Sequence, residues 1–269
     1  MQTKHNAPYI INSRGRTVLC YEKGGERVTG SIVAKPNLPQ GEVKVAISAI
    51  PISGITCITP PAVGVLPLSM QRHADLQLCH LKDEYIVAAP EVYSYYNECL
   101  SPFGFKILCG ETTLSSTYPK DAAYNIARVG NAAFLHPAYA DPVALRFFRE
   151  NGIEIIPVRQ GYSKCSVVPV DEKALITADK GIAGAARSTG LDVLEIRPGG
   201  VELAGFSYGF LGGATGKIGA DILYVTGQLA QHPSKKEIYA FLQKRGIKIR
   251  ERSIPIPIDI GSVLPLLTK

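Results

Sequence analysis

Two short phrases, His73-Ala74-Asp75 and Lys164-Cys165-Ser166, bring together side chains that can do chemistry. A cysteine becomes a nucleophile once ionised, and Lys164 would favour the thiolate of Cys165 if both faced one pocket. An imidazole that titrates near neutrality can protonate a leaving amine and then activate water, which is the role open to His73. Asp75 could orient that ring or accept from a substrate nitrogen. On a strand, the two-residue spacing puts His73 and Asp75 on one face, whereas the adjacent Lys164 and Cys165 point to opposite faces. Asp121, Asn125, Asp179 and Asp259 fall near strand ends, where they could converge on a planar cation through paired hydrogen bonds. Each residue also has a plainer role open to it: a packed thiol for Cys165, a hydrogen-bonded core or rim ring for His73, and a helix cap for Asp179 ahead of Lys180-Gly181.

Other signals exclude function classes. The run Gly209–Gly216 lacks the Gly-Lys-Ser/Thr ending of a phosphate loop and leads into a strand, so its glycines, Gly213 among them, are expected to let backbone approach the axis or a ligand closely. Six cysteines (Cys20, Cys57, Cys79, Cys99, Cys109 and Cys165) occur without a C-x-x-C pair, which argues against a zinc site and against a disulfide scaffold. The net charge of +6 is scattered over the chain, densest at Lys235-Lys236 and Lys244-Arg245, and argues against nucleic acid as a partner. Residues 1–16 lack the apolar core of a signal peptide and no stretch approaches a membrane span, so the expectation is a cytoplasmic protein with no membrane partner.

The elements that must position these residues repeat. Short apolar strands at Tyr85–Pro90, Ala132–Pro137, Ala174–Asp179 and Asp221–Gly227 start at steps of 47, 42 and 47 residues. A helical stretch and a glycine-started strand follow each one: Gly104–Leu108, Gly152–Ile156, Gly190–Leu194 and Gly246–Arg250. Asp141-Pro142 reads as a helix N-cap and first turn, with Val143, Phe147 and Phe148 as its apolar stripe; Ser234 reads as the cap of the last helix, over Ile238, Phe241 and Leu242. A further short strand ahead of each apolar one is expected to carry the polar phrases His73-Ala74-Asp75, Tyr124-Asn125, Lys164-Cys165-Ser166 and Gly212-Gly213. The module is thus strand, strand, helix, strand. With 46% hydrophobic and 19% charged residues, the 269-residue chain is expected to form a single α/β domain over 1–269 with residues 1–16 peripheral. A fifth module, split between Val43–Ile50 and Ile258–Leu264, would close the ring through the two termini and remove open sheet edges. His136-Pro137 and His232-Pro233 fall at equivalent places and read as turn chemistry.

These modules, over about Val43 to Leu266, resemble the pentein or guanidino-group-modifying enzyme fold, in which five modules surround a pseudo-fivefold axis. The phrases His73-Ala74-Asp75, Ser115–Asp121, Gln160–Ser166, Ile176–Asp179 and Gly209–Gly213 look like a bacterial branch of that superfamily. The resemblance implies a cysteine-dependent hydrolase or amidinotransferase acting on a guanidino or amidino compound without metal or cofactor. Only His73-Ala74-Asp75 matches a motif of those enzymes directly. Their cysteine lies in the final module shortly before a Pro-Leu pair, where Ile260–Leu266 here has none. Cys165 is then the replacement nucleophile, with His73 as proton carrier. Asp75 and one or more of Asp121, Asp179 and Asp259 would grip the cation, and Asn125, Lys164 and Gly213 would complete the substrate site. The alternative is a non-catalytic pentein that binds a small molecule or a partner, as the ribosome anti-association factor of this fold does.

Overall fold

The structure, a computed structural model, describes residues 30–269 and the short strand segments β1 (Tyr9–Ile11), β2 (Thr17–Leu19), β3 (Tyr21–Lys23) and β4 (Glu26–Val28). β1 pairs with β2 and β3 with β4, both antiparallel. Most of 1–16, expected to be peripheral, and Cys20 lie outside the described residues.

Five sheets follow. The strands are β5 (Ser31–Ile32), β6 (Val43–Ile47), β7 (Thr56–Ile58), β8 (Leu78–Lys82), β9 (Tyr85–Ala88), β10 (Lys106–Cys109), β11 (Ala127–Val129), β12 (Ala132–Leu135), β13 (Glu154–Pro157), β14 (Val167–Asp171), β15 (Ala174–Thr177), β16 (Asp192–Glu195), β17 (Thr215–Gly219), β18 (Ile222–Val225), β19 (Lys248–Glu251) and β20 (Leu264–Thr268). The helices are α1 (Ala74–Gln77), α2 (Pro90–Leu100), α3 (Pro142–Glu150), α4 (Ser163–Ser166), α5 (Lys180–Ser188) and α6 (Lys235–Lys244). Four sheets have the orders β10-β9-β8, β11-β12-β13, β14-β15-β16 and β17-β18-β19, each an antiparallel hairpin joined to a parallel third strand by a helix. The fifth, β5-β20-β6-β7, combines strands from both ends of the chain and closes the ring. This is the five-module α/β propeller expected of a pentein. A loop rather than a helix links β6 to β7.

The innermost strands β8, β11, β14, β17 and β20 are almost wholly buried, because neighbouring modules cover them on both sides and continuous apolar sequence is then favoured over alternation. Hydrophobic clusters accordingly span neighbouring modules. One joins Phe134 and Ala127 to Val167 and Ile182, and another joins Val43 to Ile218 and Val263. Two buried cations stitch inner strands together. Arg128 donates to Ala132 O of its own hairpin and to Leu81 O of the preceding module, and Lys217 Nζ donates to Ala220 O (2.7 Å) and Val170 O (3.3 Å) in the same pattern.

The glycines that open the third strands (Gly104, Gly152, Gly190 and Gly246) take φ of 86°, 63°, 81° and 67°, the left-handed stop that ends the preceding helical turn. Asp141 caps α3 through Val143 N at 2.9 Å. Ser234 sits at the N-cap of α6, but its hydroxyl accepts from Arg197 N (2.9 Å) instead of capping, and so ties two modules together. His136 and His232 play one turn role, each accepting through Nδ1 from the N–H two residues on.

The polar phrases correct the expected module. Ala74-Asp75 and Lys164-Cys165-Ser166 are not strand residues but parts of the one-turn helices α1 and α4 that precede β8 and β14, and His73 is the N-cap residue of α1. Tyr124-Asn125 and Gly212-Gly213 form turns at the equivalent places, and so does the stretch ahead of β20, which starts at Leu264 rather than Ile258. A single helical turn is too short to leave a periodic signature, and its side chains fan inward where strand alternation would have sent every second one outward. Among the described residues no helix is long and apolar enough to cross a membrane.

Candidate active site

Five turns, one per module, meet at one end of the inner strands, and their side chains converge there. Asn125 organises the centre. Its Oδ1 accepts from Lys164 N (2.7 Å) and Cys165 N (3.1 Å), which gives the first N–H groups of α4 an acceptor, and its Nδ2 donates to Cys165 Sγ (3.0 Å). The thiol donates to Asp75 Oδ2 at 3.2 Å. That same oxygen accepts from Ser262 Oγ (2.6 Å), and Ser262 accepts from Lys164 Nζ (2.9 Å). Asp259 holds the opposite side: its Oδ2 accepts from Phe210 N (2.9 Å), its Oδ1 from Gly261 N (3.1 Å), and His73 Nδ1 lies 3.8 Å from Oδ1.

Close backbone approach makes this convergence possible. A Cβ on Gly213 would lie 2.0 Å from Asp259 Oδ1, and one on Gly261 would lie 2.3 Å from His73 Cα, at a φ of 74°. Ser262 takes the left-handed conformation as well, at φ 70°, an unusual state for a residue with a side chain and one held here by its three buried contacts.

Above the cluster opens a cavity of about 300 Å³ with His73, Cys165 and Asp259 at its floor. Its walls are aromatic and aliphatic: Tyr162, Phe206, Tyr208 and Phe210 with Met70 and Leu76. His73 Nε2 and Asp75 Oδ1 are buried without a hydrogen-bond partner. Buried polar groups are seldom left unpaired, so a ligand bearing N–H and lone-pair groups would complete them.

The electrostatics follow from burying several ionisable groups together. Burial pushes the Cys165 thiol well above its ordinary range, the negative Asp75 and Asp259 push it further, and only the Asn125 hydrogen bond opposes them. Burial likewise raises Asp259, against the pull of His73. Burial lowers Lys164, while Asp75, Cys165 and Asp259 hold it up. Lys164 does not deliver a thiolate, because its ammonium is engaged with Ser262 and two carboxylates outweigh it.

The positions singled out in the sequence thus separate. His73, Cys165 and Asp259 line the cavity, and Asp75 touches the thiol directly. Asn125 and Lys164 lie beneath, where they position Cys165 and Ser262 instead of facing the cavity. Gly213 is a packing glycine, its open face filled by Asp259. Asp121 stands one step behind the wall: Tyr162 OH donates to its Oδ2 at 2.6 Å, its Oδ1 has no partner, and burial raises its carboxyl. Asp179 is away from the axis, where its Oδ1 accepts from Ile182 N (2.8 Å) as the cap of α5. Sequence reasoning missed Ser262, Tyr162 and the aromatic wall; the spacing of Phe206, Tyr208 and Phe210 in a glycine-rich loop was the available signal. Among the described residues no group of three or more His, Cys, Asp and Glu is placed to hold a metal ion.

Solved structures with a similar fold include three enzymes. The inosamine-phosphate amidinotransferase of Streptomyces griseus is 11% identical, with 78% of this chain and 73% of that one covered at a TM-score of 0.48. The DDAH of Pseudomonas aeruginosa, complexed with citrulline, is 14% identical, with 74% of each chain covered at 0.47. The agmatine deiminase of C. jejuni is 12% identical, with 69% and 68% covered at 0.44. No curated protein matches the sequence. A family profile matches residues 42–264, which takes in four modules and β6 and β7 of the fifth, and on that match the chain belongs to DUF6873, a family of unknown function.

Proposed function

We propose that this protein is a cysteine-dependent hydrolase or amidinotransferase acting on a guanidino or amidino compound, with Cys165 as nucleophile and His73 as proton carrier. The observation that carries this reading is the floor of the axial cavity. A thiol, an imidazole with an unpartnered nitrogen and the Asp259 carboxylate there face a space of about 300 Å³, and a second buried carboxylate, Asp75, stands directly behind the thiol. A planar cation entering it would donate to the free Asp75 Oδ1 and to Asp259, and its aromatic surroundings suit a cation as well.

The chemistry is substrate-assisted. A bound guanidinium neutralises the field of Asp75 and Asp259, which removes the charges that raise the Cys165 thiol. The thiol proton passes to His73, and Sγ attacks the guanidinium carbon to give a tetrahedral adduct. His73 returns the proton to one nitrogen, whose C–N bond then breaks to release an amine or ammonia and leave an S-amidino cysteine. Water, deprotonated by His73, attacks that carbon in the hydrolase; an acceptor amine does so in the transferase. Collapse breaks the C–S bond and restores the thiol. Asn125 Nδ2, 3.0 Å from Sγ, stabilises the leaving thiolate.

Binding without turnover is the second reading. It is favoured by the elevated Cys165 thiol in the empty site and by Ser262 standing in the final module. A screen of guanidino and ureido compounds for release of ammonia, amine or urea separates the two. Release by the wild type that is lost in Cys165→Ala supports the enzyme; ligand binding with no release, unchanged in Cys165→Ala, supports the binding protein.

A further inference from the structure

A second cavity, of about 150 Å³, lies beside the axial one and shares Tyr208 and Phe210 with it as a common wall. It sits between the third and fourth modules, at the carboxyl ends of β15 and β16. Its polar lining differs from that of the axial cavity in kind, because the groups left free there are donors.

Ser166 Oγ, on a residue 6% exposed, has no hydrogen-bond partner. Thr177 Oγ1 accepts from Asp179 N (3.1 Å), so its own proton remains to be given. His232 Nδ1 accepts from Ser234 N (3.0 Å), so the neutral ring carries its proton on Nε2, and burial lowers its basicity and keeps it neutral. The Arg197 guanidinium makes no hydrogen bond or ion pair among the described residues, since only its backbone N–H is engaged. The carboxylate in the lining, Asp179, is already committed: Oδ1 to Ile182 N and Oδ2 to Gln160 Nε2 at 3.4 Å. The amino end of α5, which Asp179 caps, adds a favourable dipole for negative charge. A buried hydroxyl left without an acceptor costs stability, and here an exposed cation and two further donors line the same space.

We infer that this cavity binds a small oxyanion, a carboxylate or phosphate group, held by Arg197, Ser166, Thr177 and His232. The site is separate from the chemistry at Cys165 and stands whether or not that chemistry occurs.

Isothermal titration of the full chain at low ionic strength, with inorganic phosphate in one arm and acetate in the other, tests it. Saturable binding of one anion per chain is expected in at least one arm, and the arm that binds identifies the group. Arg197→Ala is expected to weaken binding about tenfold or more and Ser166→Ala about threefold, the losses typical of a charged and a neutral hydrogen bond. Arg197 is exposed, so Arg197→Ala should keep the wild-type melting temperature in the absence of anion, and Ser166→Ala, which removes a buried hydroxyl without an acceptor, should melt no lower than the wild type. Lys248→Ala, on a remote exposed cation, should bind as the wild type does. The inference is overturned by an absence of saturable heat in both arms, by undiminished binding in Arg197→Ala, or by an equal loss in Lys248→Ala.

Discussion

Replacing Asn125 tests whether this one side chain holds the candidate nucleophile in place. In Asn125→Ala, the backbone N–H groups of Lys164 and Cys165 lose the acceptor now at 2.7 and 3.1 Å, and the thiol loses its donor at 3.0 Å. All three groups are buried and Asn125 is 1% exposed, so water does not easily replace it. A buried donor left unsatisfied costs about 1–3 kcal/mol, which puts the loss near 2–6 kcal/mol for the two N–H groups. For a chain of this size that corresponds to a fall in melting temperature of roughly 5–20 °C. Asn125→Asp separates structure from chemistry. It keeps an acceptor for both N–H groups but sets a carboxylate oxygen where Nδ2 donated to Sγ. Calorimetry should therefore find Asn125→Asp closer in stability to the wild type than Asn125→Ala, while iodoacetamide labelling of its Cys165 needs still higher pH than in the wild type. If Asn125→Ala melts with the wild type, or if Asn125→Asp labels more readily than the wild type, the positioning role assigned to Asn125 is wrong.

Three further outcomes are expected. Because burial, Asp75 and Asp259 all raise the Cys165 thiol, its alkylation in the empty protein should begin above the pH at which an ordinary cysteine reacts, and Asp259→Asn or added methylguanidine should move it downward; mass spectrometry of the Cys165 peptide across pH checks both shifts. Burial lowers Lys217 from 10.5 to about 8, so the unfolded chain binds the extra proton between those values and wild-type stability should rise, relative to Lys217→Met, as pH goes from 8 to 10.5. Chemical denaturation should show a relative gain of order 3 kcal/mol, and a parallel pair of stability curves would contradict it. Gly213→Ala, whose Cβ would meet Asp259 Oδ1 at 2.0 Å, should displace that carboxylate and lower the melting temperature, whereas Gly184→Ala, at a helical glycine whose Cβ would meet nothing within 4 Å, should not.

The repeat was legible because its markers are local. A glycine needed at positive φ to stop a helix and an apolar run for a strand buried on both faces each write themselves into a few adjacent residues. The turns that carry the polar side chains were located correctly but given the wrong conformation, since one turn of helix such as α1 or α4 has no period to detect. Lys164 was expected to bear on the thiolate of Cys165; its partner, Ser262, is 98 residues away, and no local pattern reports a contact of that kind. Asp179 shows the reverse. Its position before Lys180-Gly181 was enough to mark a cap, and the cap is what it forms. Gly213 reads in sequence as room for a ligand, but the room is taken by Asp259, which arrives from the last module.

The central claim is that Cys165 becomes covalently bonded to the carbon of a guanidino or amidino compound. Acid quenching of the protein during incubation with such compounds, followed by peptide mass spectrometry, tests it directly. The result expected is an amidino adduct on the Cys165 peptide that forms with a substrate found in the release screen, is absent in Cys165→Ser, and forms far more slowly in His73→Ala, which lacks the proton carrier for both the attack and the departure of the amine. An amine or ammonia released with no adduct at Cys165, and at an undiminished rate in Cys165→Ser, would contradict it.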